Sequence, residues 1–286
     1  MKRIITTKYL LGTLVITMMF FCLGCPSGKI AKDEKDETEA QKTDDSVQPP
    51  PVETNTSDVL AELEKSGGKI SKNRDGSPRV IKLDGLEINN SILRSIGSFE
   101  SLEELYLANT GIDDKGVAEL AGLKNMKKLR ISGTGITDES GKFLSGLTSL
   151  KELDVSNTSL GNEGLLELAK LTGLQKLNLY TTETTDAGVG LIAPLTELIW
   201  LNIDNCDISD AVVENLKPFT KLEWLHLGRT KLTDAGLEEL SKFTKVKEIH
   251  ITRTETTMEG AAEFQKSHPD CKINWEVPAT SFEKQE

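Results

Sequence analysis

Aliphatic residues recur every 24 positions from about residue 80 to residue 275. One column of this pattern holds nine apolar residues without a slip in register: Ile81, Leu105, Leu129, Leu153, Leu177, Leu201, Leu225, Ile249 and Ile273. A fixed period of this length is typical of a solenoid, in which each turn buries its apolar face only against its neighbours. The pattern therefore predicts a solenoid over residues 80–275.

Each repeat contains signals for a strand, a turn and a short helix. The step Leu105-Tyr106-Leu107 alternates with period two, which predicts a short strand. Apolar residues at helical spacing follow, as at Val117 and Leu120. Between them lies a ladder of small polar side chains that can hydrogen-bond the backbone where the chain turns inward. The ladder residues are Thr110, Thr134, Thr158, Thr182, Cys206, Thr230 and Thr254.

An acidic column stands just before each helical pattern, where a helix N-cap belongs. Its members are Asp114, Asp138, Asn162, Asp186, Asp210 and Asp234. Carboxylates in phase could also form a calcium ladder, but capping explains all of the positions at once. We therefore interpret the column as helix caps.

These motifs resemble the leucine-rich repeat family, in the form L-x-x-L-x-L-x-x-[T/C]-x-[I/L]-T-D-x-G-L, whose ladder position takes Cys or Thr instead of Asn. The resemblance implies an α/β fold: a curved, right-handed solenoid with a parallel sheet on the concave side and short helices on the convex side. It also implies a binding scaffold without inherent chemistry. Ubiquitin-ligase adaptors carry similar repeats, but nothing before residue 80 resembles their adaptor-binding helical domain.

The first 24 residues have the pattern of a secretory signal peptide. Lys2, Arg3 and Lys8 form a basic start, and an almost uninterrupted apolar run covers residues 9–24. This run is shorter than the roughly 20 residues that a membrane-spanning helix needs. We therefore expect export across the cytoplasmic membrane.

The end of the leader, Cys22-Leu23-Gly24-Cys25, resembles the lipobox of bacterial lipoproteins. The resemblance implies cleavage before Cys25 and acylation of its thiol, which would anchor the protein in the cell envelope through lipid. Cys22 departs from the family, which usually has Leu there. An uncleaved N-terminal anchor and plain secretion are the alternatives.

The remaining segments flank the solenoid. Residues 25–57 are rich in charged residues, Thr and Pro, and contain too few aliphatic side chains to offset the entropy of ordering, so we predict a disordered tether. Residues 58–79 contain a helical pattern and an Asp75-Gly76 turn signal, and we predict an N-terminal cap. Residues 276–286 are predicted to be a loose tail.

Charge and cysteine content exclude some classes of protein. The formal net charge is −11, and the leader contributes only positive charge, so the exported part is more acidic still. Nucleic-acid binding requires phosphate-neutralising Lys and Arg, and no basic stripe is present. Cys206 and Cys271 lie three turns apart, about 14 Å at the usual strand spacing, which exceeds the reach of a disulfide. We predict two unpaired thiols.

Aromatic and basic side chains gather on the outward positions of later strands, on repeats four to seven counted from the repeat with Leu105. This composition is typical of interface hot spots, so we predict a partner-binding surface there. Its residues are Tyr180, Trp200, Asn202, Asp204, Trp224, His226, Arg229, His250 and Arg253. Alternatively, Trp200 and Trp224 stack only to stabilise the sheet.

Other chemistry has weak support in the sequence. Alternating charges on the earlier strands favour a solvated face. His226, His250 and Asp204 could suggest zinc, but a third ligand is not assured. The sequence contains no Ser-His-Asp or Cys-His set and no phosphate loop. We therefore predict a non-enzymatic scaffold without a cofactor that binds a protein, or an envelope glycan, on its concave face; a structural envelope protein without a specific ligand is the alternative.

Overall fold

The computed structural model describes residues 55–276. The predicted leader, the lipidation site Cys25, nearly all of the tether and the tail beyond residue 276 lie outside the described residues. Within residues 55–276, no helix is long and apolar enough to cross a membrane.

Strands and short helices alternate along the described chain. The strands are β1 (Lys69–Lys72), β2 (Pro78–Lys82), β3 (Glu104–Tyr106), β4 (Lys128–Arg130), β5 (Glu152–Asp154), β6 (Lys176–Asn178), β7 (Trp200–Asn202), β8 (Trp224–His226), β9 (Glu248–His250) and β10 (Lys272–Asn274). The α-helices are α1 (Thr56–Lys65), α2 (Asn90–Gly97), α3 (Asp114–Ala118), α4 (Gly141–Leu144), α5 (Asn162–Leu168), α6 (Asp186–Leu191), α7 (Val212–Leu216), α8 (Asp234–Leu240) and α9 (Met258–Ser267). A 3₁₀ turn, Asp138–Ser140, precedes α4.

The strands form one sheet in chain order, and β2 to β10 are parallel. Each parallel strand pairs with the next at an offset of one repeat, so that Leu177 lies opposite Leu201 and Leu201 opposite Leu225. The outward residues therefore also form straight rows across the sheet. This arrangement is a leucine-rich repeat solenoid of α/β class, as the periodicity predicts.

The N-terminal end departs from the repeat. Helix α1 begins at Thr56, two residues before the expected start of the cap, and buries Val59, Leu60 and Leu63. Strand β1 then joins β2 antiparallel, through a turn in which Asp75 accepts hydrogen bonds from the backbone and side chain of Ser77. The repeat pattern did not predict this strand, because β1 buries almost none of its side chains.

A single apolar core runs through the described residues from Val59 to Cys271. The column residues from Ile81 to Ile249 are at most 2% exposed, whereas Ile273 in the last strand is only partly buried. Every buried side-chain nitrogen and oxygen within residues 55–276 has a hydrogen-bond partner. The apolar core and the partners of its buried polar side chains therefore both lie within the described residues.

The ladder side chains close the turn after each strand. The Thr110 hydroxyl donates to the Leu107 carbonyl at 2.7 Å, and Thr230 donates to Leu227 at 2.6 Å. The longer thiol of Cys206 instead donates across to the Leu179 carbonyl of the preceding turn, at 3.1 Å. The ladder thus satisfies carbonyls that have left the sheet.

The prediction that the acidic column caps its own helices was wrong. The cap is the preceding residue at α3, where the Asp113 carboxylate accepts from the Lys115 and Gly116 amides, and Asp114 is already helical. The Asp114 carboxylate reaches the next turn instead and accepts from the Thr137 amide at 2.9 Å.

The other members of the acidic column make the same link between turns. Asp210 accepts from the Thr233 amide at 2.8 Å, and Asp234 accepts from the Thr257 amide at 2.8 Å. The column therefore joins neighbouring coils to one another.

Candidate functional site

The open face of the sheet, formed by the outward side chains of β2 to β10, divides into two regions. The first is the aromatic patch, which we define as the nine residues predicted above. The second is the charged trough on β3 to β7, which is lined by Tyr106, Lys128, Leu129, Arg130, Glu152, Leu153, Asp154, Lys176, Asn178 and Trp200. In both regions, each strand pairs with the next at the same offset of one repeat.

Two indole rings form the centre of the aromatic patch. Trp200 and Trp224 are opposite one another on β7 and β8, with ring centroids 4.3 Å apart and planes inclined by 9°. His250 covers the far side of Trp224 at 4.9 Å, and His226 meets Trp224 edge-on at 5.7 Å. Both tryptophans are half-buried. The two indoles therefore form a stack, flanked by the two imidazoles, with part of its surface open to solvent.

Asp204 is the buried anchor of the patch. Its carboxylate is about 5% exposed and accepts from the Arg229 Nε at 2.9 Å, in a two-point contact with the guanidinium. The Arg229 guanidinium in turn lies 5.0 Å above the Tyr180 ring. The sequence predicts Asp204 among the partner-contacting residues; in the structure its carboxylate is deeply covered and orients Arg229.

The two histidines of the patch are close neighbours with separate acidic partners. Their ring centroids are 4.8 Å apart. His226 Nε2 lies 3.5 Å from Asp204, and His250 Nε2 lies 2.9 Å from Glu248. Burial lowers the pKa of His226, and nearby His250 and Arg229 lower it further, against the opposing pull of Asp204. The lowered pKa favours the neutral imidazole at neutral pH.

Asn202 and Arg253 stand at the edge of the patch. Asn202 Oδ1 accepts from the Asp204 amide at 3.0 Å and so fixes the chain that carries the buried carboxylate. Arg253 is exposed, and no ion pair or side-chain hydrogen bond within residues 55–276 joins it to the patch. Arg253 stands one repeat after Arg229, but Gly228 occupies the position where a carboxylate equivalent to Asp204 would be needed. The structure therefore does not bring Arg253 into the cluster.

Within residues 55–276, no group of three or more His, Cys, Asp or Glu side chains is arranged to hold a metal ion. His226 and His250 each direct Nε2 towards a different carboxylate.

Cys206 and Cys271 are buried free thiols, and burial raises the pKa of each. Both environments favour the unreactive thiol form.

A column of left-handed backbone positions, which the repeat pattern was not used to predict, runs along the edge of the sheet and includes Arg229 and Arg253 of the patch. The φ angle is positive at the same position of eight successive turns: Gly85, Asn109, Gly133, Asn157, Thr181, Asn205, Arg229 and Arg253. Gly and Asn tolerate this conformation, whereas Arg does so at a cost of about 1 kcal/mol. The Gly and Asn residues that recur with the repeat were the available signal.

The charged trough was predicted only as a solvated face. It is a depression of about 380 Å³ lined by residues from Tyr106 on β3 to Trp200 on β7. Along its first row, Glu152 accepts from Lys128 at 2.7 Å and from Lys176 at 2.8 Å. Burial raises the pKa of Glu152, but hydrogen bonds from the two lysines outweigh it and leave the pKa below its ordinary value.

The second row of the trough is also paired. Arg130 lies between Asp84 and Asp154, at 3.5 Å and 3.4 Å. Lys82 and Lys128 lie over the Tyr106 ring, at 4.9 Å and 5.6 Å from its centroid. The floor of the trough is therefore a network of matched charges.

Comparison with known proteins supports this fold. The Leucine Rich repeat family model matches three segments, residues 100–121, 122–145 and 146–169. The structure is similar to internalin C2 from Listeria monocytogenes, with a TM-score of 0.56 and 19% sequence identity over 76% of this chain and 92% of that one. No curated protein matches the sequence. The fold is thus that of leucine-rich repeat proteins, which typically serve as protein-binding scaffolds.

Proposed function

We propose that the protein is an envelope-anchored scaffold that recognises a protein partner through the aromatic patch. The observation that carries the proposal is the stacked pair Trp200 and Trp224, because it leaves half-buried indole surface on the open face of a solenoid. Aromatic and Arg side chains dominate binding energy at protein interfaces.

The arrangement around the indoles also suits recognition. Arg229 is held by Asp204 and Tyr180, so its guanidinium is fixed before a partner arrives. A partner that meets ordered side chains loses less conformational entropy on binding. Arg229 also occupies a left-handed backbone position that favours Gly or Asn, a cost that the fold itself does not require.

Anchoring through Cys25 is the second part of the proposal. The support is the apolar run that ends at Gly24-Cys25, which resembles a lipoprotein signal. A lipid on Cys25 would then tether the solenoid to the membrane through the segment between Cys25 and α1. We expect Cys25→Ser to abolish incorporation of labelled palmitate in the producing cell; unchanged labelling contradicts acylation at this residue.

Affinity capture tests the binding surface. The chain spanning residues 52–286 is immobilised and exposed to envelope extract, in parallel with the double variant Trp200→Ser, Trp224→Ser. Leu166→Ser is the matched control, because Leu166 is 54% exposed on the helical side. The proposal predicts a protein captured by the original chain and by the control but not by the double variant.

Circular dichroism of the same variants separates binding from stabilisation. If the double variant is folded and captures nothing, the indoles are contact residues. If it loses helical signal while the residual folded fraction still captures the protein, the tryptophans only stabilise the sheet, and the proposed function is wrong.

A further inference from the structure

The charged trough differs from an ordinary solvated surface because its charges are already matched. Three cations, Lys128, Lys176 and Arg130, face three anions, Glu152, Asp154 and Asp84. Each cation lies within 3.5 Å of a carboxylate. Among the described residues, the lining of the trough therefore offers no unpaired charge to an ionic ligand.

This pairing limits the chemistry that can fill the trough. An apolar group would cover the ion pairs and remove their hydration without replacing it, which is costly. A charged group would have to break one pair to form another. A neutral ligand rich in hydroxyl groups does neither, since each hydroxyl donates to a carboxylate and accepts from an ammonium or guanidinium group.

Two further features of the trough suit such a ligand. Trp200 lines one end, and its other neighbour along the row is Trp224, so the stack supplies a rigid apolar surface for the carbon face of a ring. Asn178 uses its Oδ1 to accept from the Tyr180 amide at 3.2 Å, and its Nδ2 makes no hydrogen bond within the described residues. The Asn178 Nδ2 group is therefore a hydrogen-bond donor that remains available on the floor of the trough.

The dimensions of the trough also suit a neutral ligand rich in hydroxyl groups. The depression of about 380 Å³ lies within the range of about 300–1,000 Å³ typical of small-ligand sites. Four strand intervals separate Tyr106 from Trp200, or about 19 Å. The site is therefore long enough for several linked rings.

We propose that the trough between Tyr106 and Trp200 binds a neutral oligosaccharide segment of a glycan. In this site a sugar ring stacks on Trp200, and its hydroxyl groups bridge the row Lys128, Glu152 and Lys176. The site adds a second ligand to the protein-binding patch, with which it shares Trp200.

Calorimetric titration with purified components tests this inference. The chain spanning residues 52–286 is titrated with cellohexaose, chitohexaose and maltohexaose, and with a hyaluronan hexasaccharide as a charged ligand of similar size. We expect saturable binding of at least one neutral hexasaccharide. Its affinity should not change between about 0.05 and 0.5 M NaCl, because no net charge is neutralised.

Two variants locate the binding. Trp200→Ser should weaken it about tenfold, the usual scale of one aromatic contact. Asn178→Asp removes the free donor and keeps the acceptor for Tyr180, and should also weaken binding severalfold. Leu166→Ser is the control, and circular dichroism verifies the fold of each variant. If Trp200→Ser proves unfolded, Asn178→Asp still shows whether the saccharide binds in the trough.

Several outcomes overturn the inference: no binding of any neutral hexasaccharide, equal binding by Asn178→Asp, or salt-sensitive binding of the hyaluronan fragment alone. It is also overturned if a captured protein partner, rather than a saccharide, protects Lys128 and Lys176 from acetylation. Tryptophan-dependent protein capture together with a failed titration would refute the saccharide site and leave the proposed function intact.

Discussion

The two halves of the open face share one backbone and differ in how their outward side chains are satisfied. In the trough, Glu152 and its two lysines neutralise one another across adjacent strands. In the aromatic patch, Arg229 contacts the buried Asp204 carboxylate. The indole rings of Trp200 and Trp224 remain partly exposed to solvent. The comparison shows that a uniform solenoid acquires distinct surfaces solely through residues that the fold does not fix.

The inward side chains support both halves equally. Leu177 is fully buried beneath the boundary between trough and patch. We expect Leu177→Ala to lower the free energy of unfolding by about 3 kcal/mol through lost burial and a residual cavity, and to impair both halves together. Urea denaturation measures the change, and Leu166→Ala on the exposed helical side should change stability by less than about 0.5 kcal/mol.

Two aspartates at equivalent positions, five turns apart, distinguish the halves. Asp204 in the patch is 5% exposed, whereas Asp84 beside the trough is 36% exposed, and each contacts an arginine. Asp204→Asn should lower the free energy of unfolding by about 1–2 kcal/mol, because Arg229 then loses its negatively charged partner. Asp84→Asn should lower the free energy of unfolding by less than about 0.5 kcal/mol. Equal losses in urea denaturation would contradict the different burial of the two carboxylates.

The halves should also respond to acid in different pH ranges. The folded pKa of His226 lies below its ordinary value of 6.5, so the unfolded chain binds more protons and stability falls as pH drops through about 6.5. The lowered pKa of Glu152 contributes stability that is present above its ordinary value of 4.5 and is lost only at lower pH.

Thermal denaturation between pH 8 and pH 5 should therefore show a decrease of melting temperature that His226→Gln reduces and Glu152→Gln leaves unchanged. Glu152→Gln should change the pH dependence of the melting temperature only below about pH 4.5, where the stability contributed by this carboxylate is lost. A decrease that is the same with and without His226 would show that this histidine is not neutral in the fold.

The smallest effect is expected for a single ion pair of the trough. Lys128→Met removes one of the two lysines on Glu152, and its side chain is 38% exposed. Because Lys176 remains paired with Glu152, the free energy of unfolding should change by less than about 0.5 kcal/mol. A loss above about 1 kcal/mol in urea denaturation would show that the charge network stabilises the fold.

The constant period of the sequence was enough to predict the solenoid, the ladder and the neighbouring positions of Trp200 and Trp224. Parallel pairing at a constant offset converts sequence position directly into position on the sheet. It was not enough to predict the burial of Asp204 or the link from Asp114 to Thr137. Those depend on how far a side chain reaches into the next turn, which a column of residue types does not contain.

The pairing in the trough shows the same limit. The alternating charges of Lys128, Glu152 and Lys176 were visible in the sequence, but whether neighbours bond to each other or to water depends on their rotamers. The antiparallel strand β1 was missed for a different reason, since an edge strand with exposed side chains has no apolar pattern.

Oxidative footprinting of the three tryptophans, on the free chain and on its complex with the captured protein, shows whether the partner covers the stacked indoles. Trp200 and Trp224 lie in the patch, whereas Trp275 lies beyond the last strand and is an internal control. We expect the partner to protect Trp200 and Trp224 from oxidation and to leave Trp275 unchanged. Protection of Trp275 alone, or of none of the three, would contradict it.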